Sequence, residues 1–124
     1  MTDLTSTIQY LFVYGTLRTV DGHPMHNFLR GFCDLLGEAI VGGIKLDLGG
    51  YPGLIPSGSP DEQVTGELYR IHEGASAELF YGLDRYEGCS DEDPEPHEYF
   101  RHPLHVTLLS DSEAYEAWVY IYNG

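Results

Sequence analysis

Glu87 closes the run Leu83-Asp84-Arg85-Tyr86-Glu87-Gly88 and is the first residue whose position suggests chemistry. Gly88 reads as a helix stop, so Glu87 falls at the negative end of a helix macrodipole, where a carboxylate is disfavoured. Flanked by Leu83 and Tyr86, it can be partly desolvated, which raises its proton affinity towards the range useful for acid/base work. A second place is the loop Tyr14-Gly15-Thr16-Leu17-Arg18. Glycine directly after a buried strand lets the chain turn sharply and frees successive N–H groups. Such groups can hold a carboxylate or a developing oxyanion. A third is Glu98-Tyr99-Phe100-Arg101, where strand alternation puts Tyr99 and Arg101 on one face. A phenol beside a guanidinium can orient a carboxylate, or simply pair with other acids. Each signal alone also has an ordinary explanation: a surface glutamate, a strand-ending glycine, a strand aromatic.

The histidines offer a rival. His23 and His26 are three apart, and His97, His102 and His105 cluster late. Neither H-x-x-x-H nor H-E-x-x-H occurs, and the odd spacing of His102 and His105 would point them to opposite faces of a strand, so no metal site is expected. G-x-S-x-G, Walker and dinucleotide fingerprints are also missing from the sequence.

The elements that must carry these residues are mostly strands. Tyr10-Leu11-Phe12-Val13-Tyr14 is a continuous aromatic and β-branched run, the pattern of a buried central strand. His23 to Phe32 is a short helical or irregular stretch with Pro24 near its start. Between Asp34 and Leu48, Gly42-Gly43 separates two apolar runs, which signals a hairpin. The glycine-dense turn Gly49-Gly50-Tyr51-Pro52-Gly53 precedes a short strand at Leu54-Ile55. Gln63 to Ile71 alternates with period two, although the pattern does not say which face is inward. Ser76 is placed to cap a helix running to about Tyr86, with Leu79, Phe80 and Leu83 at helical spacing. An acidic, proline-bearing loop follows from Cys89 to Pro96. Two further strands lie at about Tyr99 to Leu109, interrupted at Pro103, and Ala114 to Tyr122. Six or seven strands with one clear helix predict an α+β fold: a small, mostly antiparallel barrel with the main helix packed at one end.

Composition agrees. A chain of 124 residues fits one domain, here 1–124 with 1–8 as a loose lead-in. Gly 15 and Pro 7 favour turns and short strands over a helical bundle. Twenty Asp+Glu against 6 Lys+Arg give a net charge of −14, which repels phosphate backbones and anionic lipid, so neither nucleic acid nor membrane is an expected partner. An anionic substrate must then use Arg18, Arg30, Lys45, Arg70, Arg85, Arg101 or backbone N–H groups. Cys33 and Cys89 lack C-x-x-C spacing and read as free thiols. With no basic n-region at the start, the expectation is a cytoplasmic protein.

Taken in order, the motifs resemble the gamma-glutamylcyclotransferase superfamily, particularly its gamma-glutamylamine cyclotransferase-like branch. The matching segments are Phe12-Val13-Tyr14-Gly15-Thr16-Leu17-Arg18, Gly50-Tyr51-Pro52-Gly53-Leu54-Ile55, Val64-Thr65-Gly66-Glu67-Leu68-Tyr69 and Leu83-Asp84-Arg85-Tyr86-Glu87-Gly88 with Tyr99-x-Arg101. The resemblance implies a compact mixed barrel with its cavity at the mouth and no cofactor. It also implies a small γ-glutamyl substrate, Glu87 as acid/base, and a substrate-holding loop at Tyr14, Gly15, Thr16, Leu17 and Arg18, with Tyr99 helping to orient Glu87. The chain departs from the pattern in its long acidic loop (Asp91, Glu92, Asp93, Glu95) and at Asp21-Gly22-His23-Pro24-Met25-His26-Asn27. A non-catalytic binding module on the same fold and a γ-glutamyl amide hydrolase are the alternatives. The leaving group and the oligomeric state are open. The spatial expectation is explicit: Glu87 must face a hollow at the end of the first strand.

Overall fold

The computed structural model describes residues 8–14 and 24–123. Its elements are strand β1 (Tyr10–Val13), helix α1 (Pro24–Arg30), strands β2 (Cys33–Asp47), β3 (Pro52–Pro56) and β4 (Gln63–Ile71), helix α2 (Ser76–Glu87), and strands β5 (Tyr99–Leu108) and β6 (Ala114–Tyr122). The strands hydrogen-bond in the order β3-β2-β4-β1-β6-β5. Pairing of Ala39 with Leu108 and of Ile40 with Thr107 brings β5 back to β2, so five strands close a barrel and β3 is left as an addition to the far end of β2. Every pairing is antiparallel except β1 with β6, aligned in parallel at Leu11 and Trp118.

Strand β1 is buried on both faces, as its unbroken apolar run predicts. Phe12 and Tyr14 join Leu68, Val106 and Val119 inside the barrel. Leu11 and Val13 look outward into a second cluster with Tyr69, Tyr120, Leu79 and Leu83. The same division resolves β4: Val64 and Leu68 fill the barrel while Tyr69 and Ile71 meet the helix layer, so both of its faces contribute to a core. Helix α2 is held by Leu79, Phe80 and Leu83. Full burial of each leucine contributes about 1.5–3 kcal/mol, which fixes the turn that ends at Glu87. Gly88 stops the helix in the left-handed conformation (φ 76°), its N–H directed at the Arg85 and Asp84 carbonyls.

Three expectations need correction. Gly42-Gly43 makes no hairpin, because β2 runs unbroken through it for 15 residues. There β2 exchanges partners, pairing with β4 up to Gly42 and with β3 from Gly43. A Cβ would lie 2.6 Å from the Ser57 carbonyl oxygen at Gly42 and 2.9 Å from that of Ile55 at Gly43. The glycines serve close approach rather than reversal. Ser76 is the first helical residue, the N-cap being Ala75 without a side-chain bond. Nor does Pro103 interrupt β5, where it pairs with Trp118. At that point β5 has β6 on one side only, since β2 meets it at Thr107 and Leu108, and a missing N–H is tolerated on an open side. Among the described residues no helix is long and apolar enough to cross a membrane.

Candidate active site

Where β1 ends, the barrel opens into a cavity of about 350 Å³. Its floor is Phe12, Val13, Tyr14, Tyr99 and Tyr120, all buried; Glu87 forms one wall; Tyr51, Pro52, Tyr86 and Glu98 form the rim. The tyrosines of the floor are structural at their hydroxyls. Tyr14 donates to the Tyr120 carbonyl at 2.6 Å and accepts from the Leu54 N–H at 3.1 Å, bracing β1 between β6 and β3. The Tyr99 hydroxyl donates to the Pro52 carbonyl at 2.6 Å. An orienting bond from Tyr99 to Glu87 is therefore not what the geometry provides; the phenol fastens β5 to the Tyr51-Pro52 turn instead. Both phenols have their pKa pushed up, first by burial, with Glu87 among the charges that add to it.

Glu87 is the last residue of α2, and no hydrogen bond to its carboxylate comes from a described residue. Burial, and secondly the charge of Asp84, raise its pKa from 4.5 to about 7. Asp84 lies one turn earlier on the same helix face. It receives a two-pronged bond from Arg101 (Nε to Oδ1 2.9 Å, Nη2 to Oδ2 3.1 Å) and another from the Tyr120 hydroxyl at 2.7 Å. Arg101 is stacked over Phe80 and Trp118, at 4.0 and 4.6 Å from the ring centres. Of the two roles open to Arg101, pairing with an acid is the one observed. A larger hollow of about 630 Å³ lies beyond this network, with both its arginines engaged, Arg101 by Asp84 and Arg85 by Glu92.

Three of the residues singled out in the sequence, Glu87, Tyr14 and Tyr99, thus meet at one cavity. Gly15, Thr16, Leu17 and Arg18 lie outside the described residues. Tyr14, immediately before them, is on the cavity floor. Sequence reasoning passed over Tyr120 behind Glu87, and it quoted Asp84, Tyr51 and Glu98 within its segments without giving any of them a role of its own. The Asp84-x-x-Glu87 spacing was an available signal, since it puts two carboxylates on one helix face.

A family model described as gamma-glutamyl cyclotransferase, AIG2-like matches residues 11–124. The chain belongs to this family. The barrel of this cyclotransferase-like chain resembles the crystal structure of an AIG2-like protein from Mus musculus, with a TM-score of 0.67, 24% identity, and coverage of 94% of this chain and 78% of that one. YkqA from Bacillus subtilis gives a TM-score of 0.66 at 23% identity, covering 93% of this chain but only 36% of its own length. A structure titled gamma-glutamyl cyclotransferase gives 0.60 at 15% identity, over 94% and 67%. At such identities these structures speak for the fold. No curated protein matches the chain.

Proposed function

We propose that this protein is a γ-glutamyl cyclotransferase that releases 5-oxoproline and a free amine from a γ-glutamyl compound, with Glu87 as the general acid/base. The observation that carries this reading is a carboxylate on a cavity wall, without a described partner, its pKa raised by burial to about 7. Membership of the family supports it.

The substrate carries its own nucleophile and electrophile. The α-amino nitrogen bonds to the γ-carbonyl carbon, closing a five-membered lactam, and the bond from that carbon to the leaving nitrogen breaks. Starting from the α-ammonium ion, two protons leave the α-nitrogen as it becomes the lactam N–H. Glu87 takes the first, which frees the lone pair for attack, and delivers it to the leaving nitrogen; it then takes the second from the ring nitrogen and passes it to the departing amine, which leaves as an ammonium ion. An α-ammonium group has a reference pKa of about 8, so a carboxylate near 7 is mismatched by about one unit, or about 1.4 kcal/mol. At its ordinary 4.5 the mismatch would be about 3.5 units, close to 5 kcal/mol. Desolvation of Glu87 is thus suited to this proton transfer. The cavity contributes by holding the flexible glutamyl chain folded, a part of the 7–11 kcal/mol that proximity can be worth at most. The oxyanion or the substrate α-carboxylate would be held by N–H groups of Gly15, Thr16 and Leu17, with Arg18, next in sequence, as a candidate cation for it.

The test is product analysis with γ-glutamyl amides. Formation of 5-oxoproline by the wild-type protein and its loss in a folded Glu87→Gln variant are expected. Free glutamate in place of 5-oxoproline would mean hydrolysis, and a Glu87→Gln protein as active as wild type would remove Glu87 from the mechanism.

A further inference from the structure

Strand β3 has a backbone partner on one edge only. It pairs with β2, from Pro52 opposite Asp47 to Pro56 opposite Gly43. The Tyr51 carbonyl accepts the Leu48 N–H and the Ser57 N–H donates to the Gly42 carbonyl, so the odd-numbered residues direct their backbone groups to β2. Pro52, Leu54 and Pro56 then direct theirs to the other edge. Two of the three are prolines, and Leu54 carries the one N–H on that side. Among the described residues no strand takes this edge. Two phenols do. The Tyr14 hydroxyl accepts the Leu54 N–H at 3.1 Å, and the Tyr99 hydroxyl donates to the Pro52 carbonyl at 2.6 Å.

A backbone ladder draws neighbouring strands to about 4.8 Å. A tyrosine that reaches from its own strand to a main-chain group of the next keeps the two farther apart. Tyr14, Tyr99 and Pro52 all line the cavity that Glu87 lines, so the gap kept at this edge is part of that cavity. The single proton of each phenol is donated to a main-chain carbonyl, that of Tyr120 for Tyr14 and that of Pro52 for Tyr99, so neither has one left for a substrate.

We propose that Tyr14 and Tyr99 are positioning residues, phenol struts that hold β3 at a fixed distance from the barrel and thereby set the width of the cavity around the glutamyl unit. This rests on the cyclotransferase reading, which places that unit against Glu87. A cavity of fixed width keeps the flexible chain folded for ring closure and keeps water from Glu87; a wall free to drift does neither.

Phenylalanine at either position keeps the ring and removes the strut. Amide hydrogen exchange reads the strut itself: in Tyr14→Phe the Leu54 amide should exchange about tenfold faster, as one hydrogen bond is lost, while those of Gly53 and Ile55, directed to β2, stay protected. Misplacement by about 1 Å can cost about 10²-fold in rate, so kcat should fall about 10- to 100-fold in Tyr14→Phe, which loses two bonds, and about 3- to 10-fold in Tyr99→Phe, which loses one. The acid limb of the pH–rate profile separates positioning from a mere loss of stability. Burial pushes up the pKa of both phenols, so neither substitution removes a charge in the range of the limb. The other titratable groups described around Glu87 (Asp84, Tyr86 and Cys89 on the α2 side, Tyr120 on the floor, Tyr51 and Glu98 on the rim) are unchanged in both variants. Water admitted beside Glu87 lowers its proton affinity, so the limb should move to lower pH in both. If Tyr14→Phe does not fold, Tyr99→Phe decides alone, since it leaves only a carbonyl without its donor. A limb that stays in place overturns the proposal, whatever the fall in rate, and leaves the cyclotransferase reading intact. Lack of 5-oxoproline from the wild-type protein overturns both.

Discussion

Asp84 and Glu87 are two carboxylates one helical turn apart on α2, and the fold treats them in opposite ways. Asp84 accepts four hydrogen bonds, two from a stacked guanidinium, one from a phenol and a long one from the Cys89 thiol, and its side chain is 20% exposed. Glu87 is turned to the cavity, receives none from a described residue, and has its pKa pushed up to about 7. A buried charge is tolerable when paired and hydrogen-bonded; unpaired, it gives up its charge more readily. The two are also coupled: the charge of Asp84 is, after burial, a cause of the raised pKa at Glu87. One carboxylate is bound into the fold, and its charge adds to the burial that raises the proton affinity of the other.

The largest effect should come from removing Glu87, the member with no hydrogen-bond donor among the described residues. General acid/base groups contribute typically about 10²–10⁴-fold, so Glu87→Gln should lower the rate of 5-oxoproline formation by that factor. The wild-type kcat/KM should rise about tenfold per pH unit below 7 and level off above it, as Glu87 ionises. The variant should lack this limb.

The same substitution should stabilise the protein. An unfolded chain releases the Glu87 proton near 4.5, whereas the folded one holds it to about 7. Between those values the native state binds more protons, so stability falls as pH rises through this window and the full penalty applies above it. For a shift of about 2.5 units the penalty is at most about 3 kcal/mol. Urea unfolding should therefore find Glu87→Gln more stable than wild type near pH 8 and nearly equal to it near pH 4. A wild type whose stability is flat across this range would deny that Glu87 is held in a desolvated place.

Much of this arrangement was legible in the sequence. The alternating run Gln63 to Ile71 became β4 without a change of boundary, because its pattern is local. Leu79, Phe80 and Leu83 became the buried face of α2 for the same reason, and the order of the motifs brought Glu87, Tyr14 and Tyr99 to one cavity. The rest depended on contacts distant in sequence. A Gly-Gly pair carries the same compositional signal whether the chain reverses or another strand passes close by, and at Gly42-Gly43 the second was true. Which of two helical carboxylates is paired was set by Arg101 and Tyr120, 17 and 36 residues away from Asp84, and no spacing within α2 encodes that.

Removing the paired member should act mainly on stability. Asp84→Asn leaves Arg101 without its counter-charge in a place where its side chain is 25% exposed. Breaking a fully buried pair costs about 3–5 kcal/mol, and partial exposure here reduces the expected loss to about 2. Loss of the negative charge should also lower the pKa of Glu87, moving the acid limb of the pH–rate profile to lower pH. A profile that stays in place would show that burial alone sets the proton affinity of Glu87.

The smallest change, Tyr120→Phe, sharpens the comparison by shifting the limb the other way. It deletes the hydroxyl that donates to Asp84 but keeps both Arg101 bonds and the backbone carbonyl that accepts from Tyr14. One hydrogen bond to a charged group is lost, with the partner still held by its guanidinium, so the cost in stability should be about 1 kcal/mol. With one donor fewer, the charge on Asp84 is less compensated and is felt more strongly at Glu87. The acid limb should then move slightly to higher pH, opposite to its movement in Asp84→Asn. Opposite displacements from two substitutions in one network would follow from electrostatic coupling between the carboxylates, whereas a general loosening of the site would move both in the same direction.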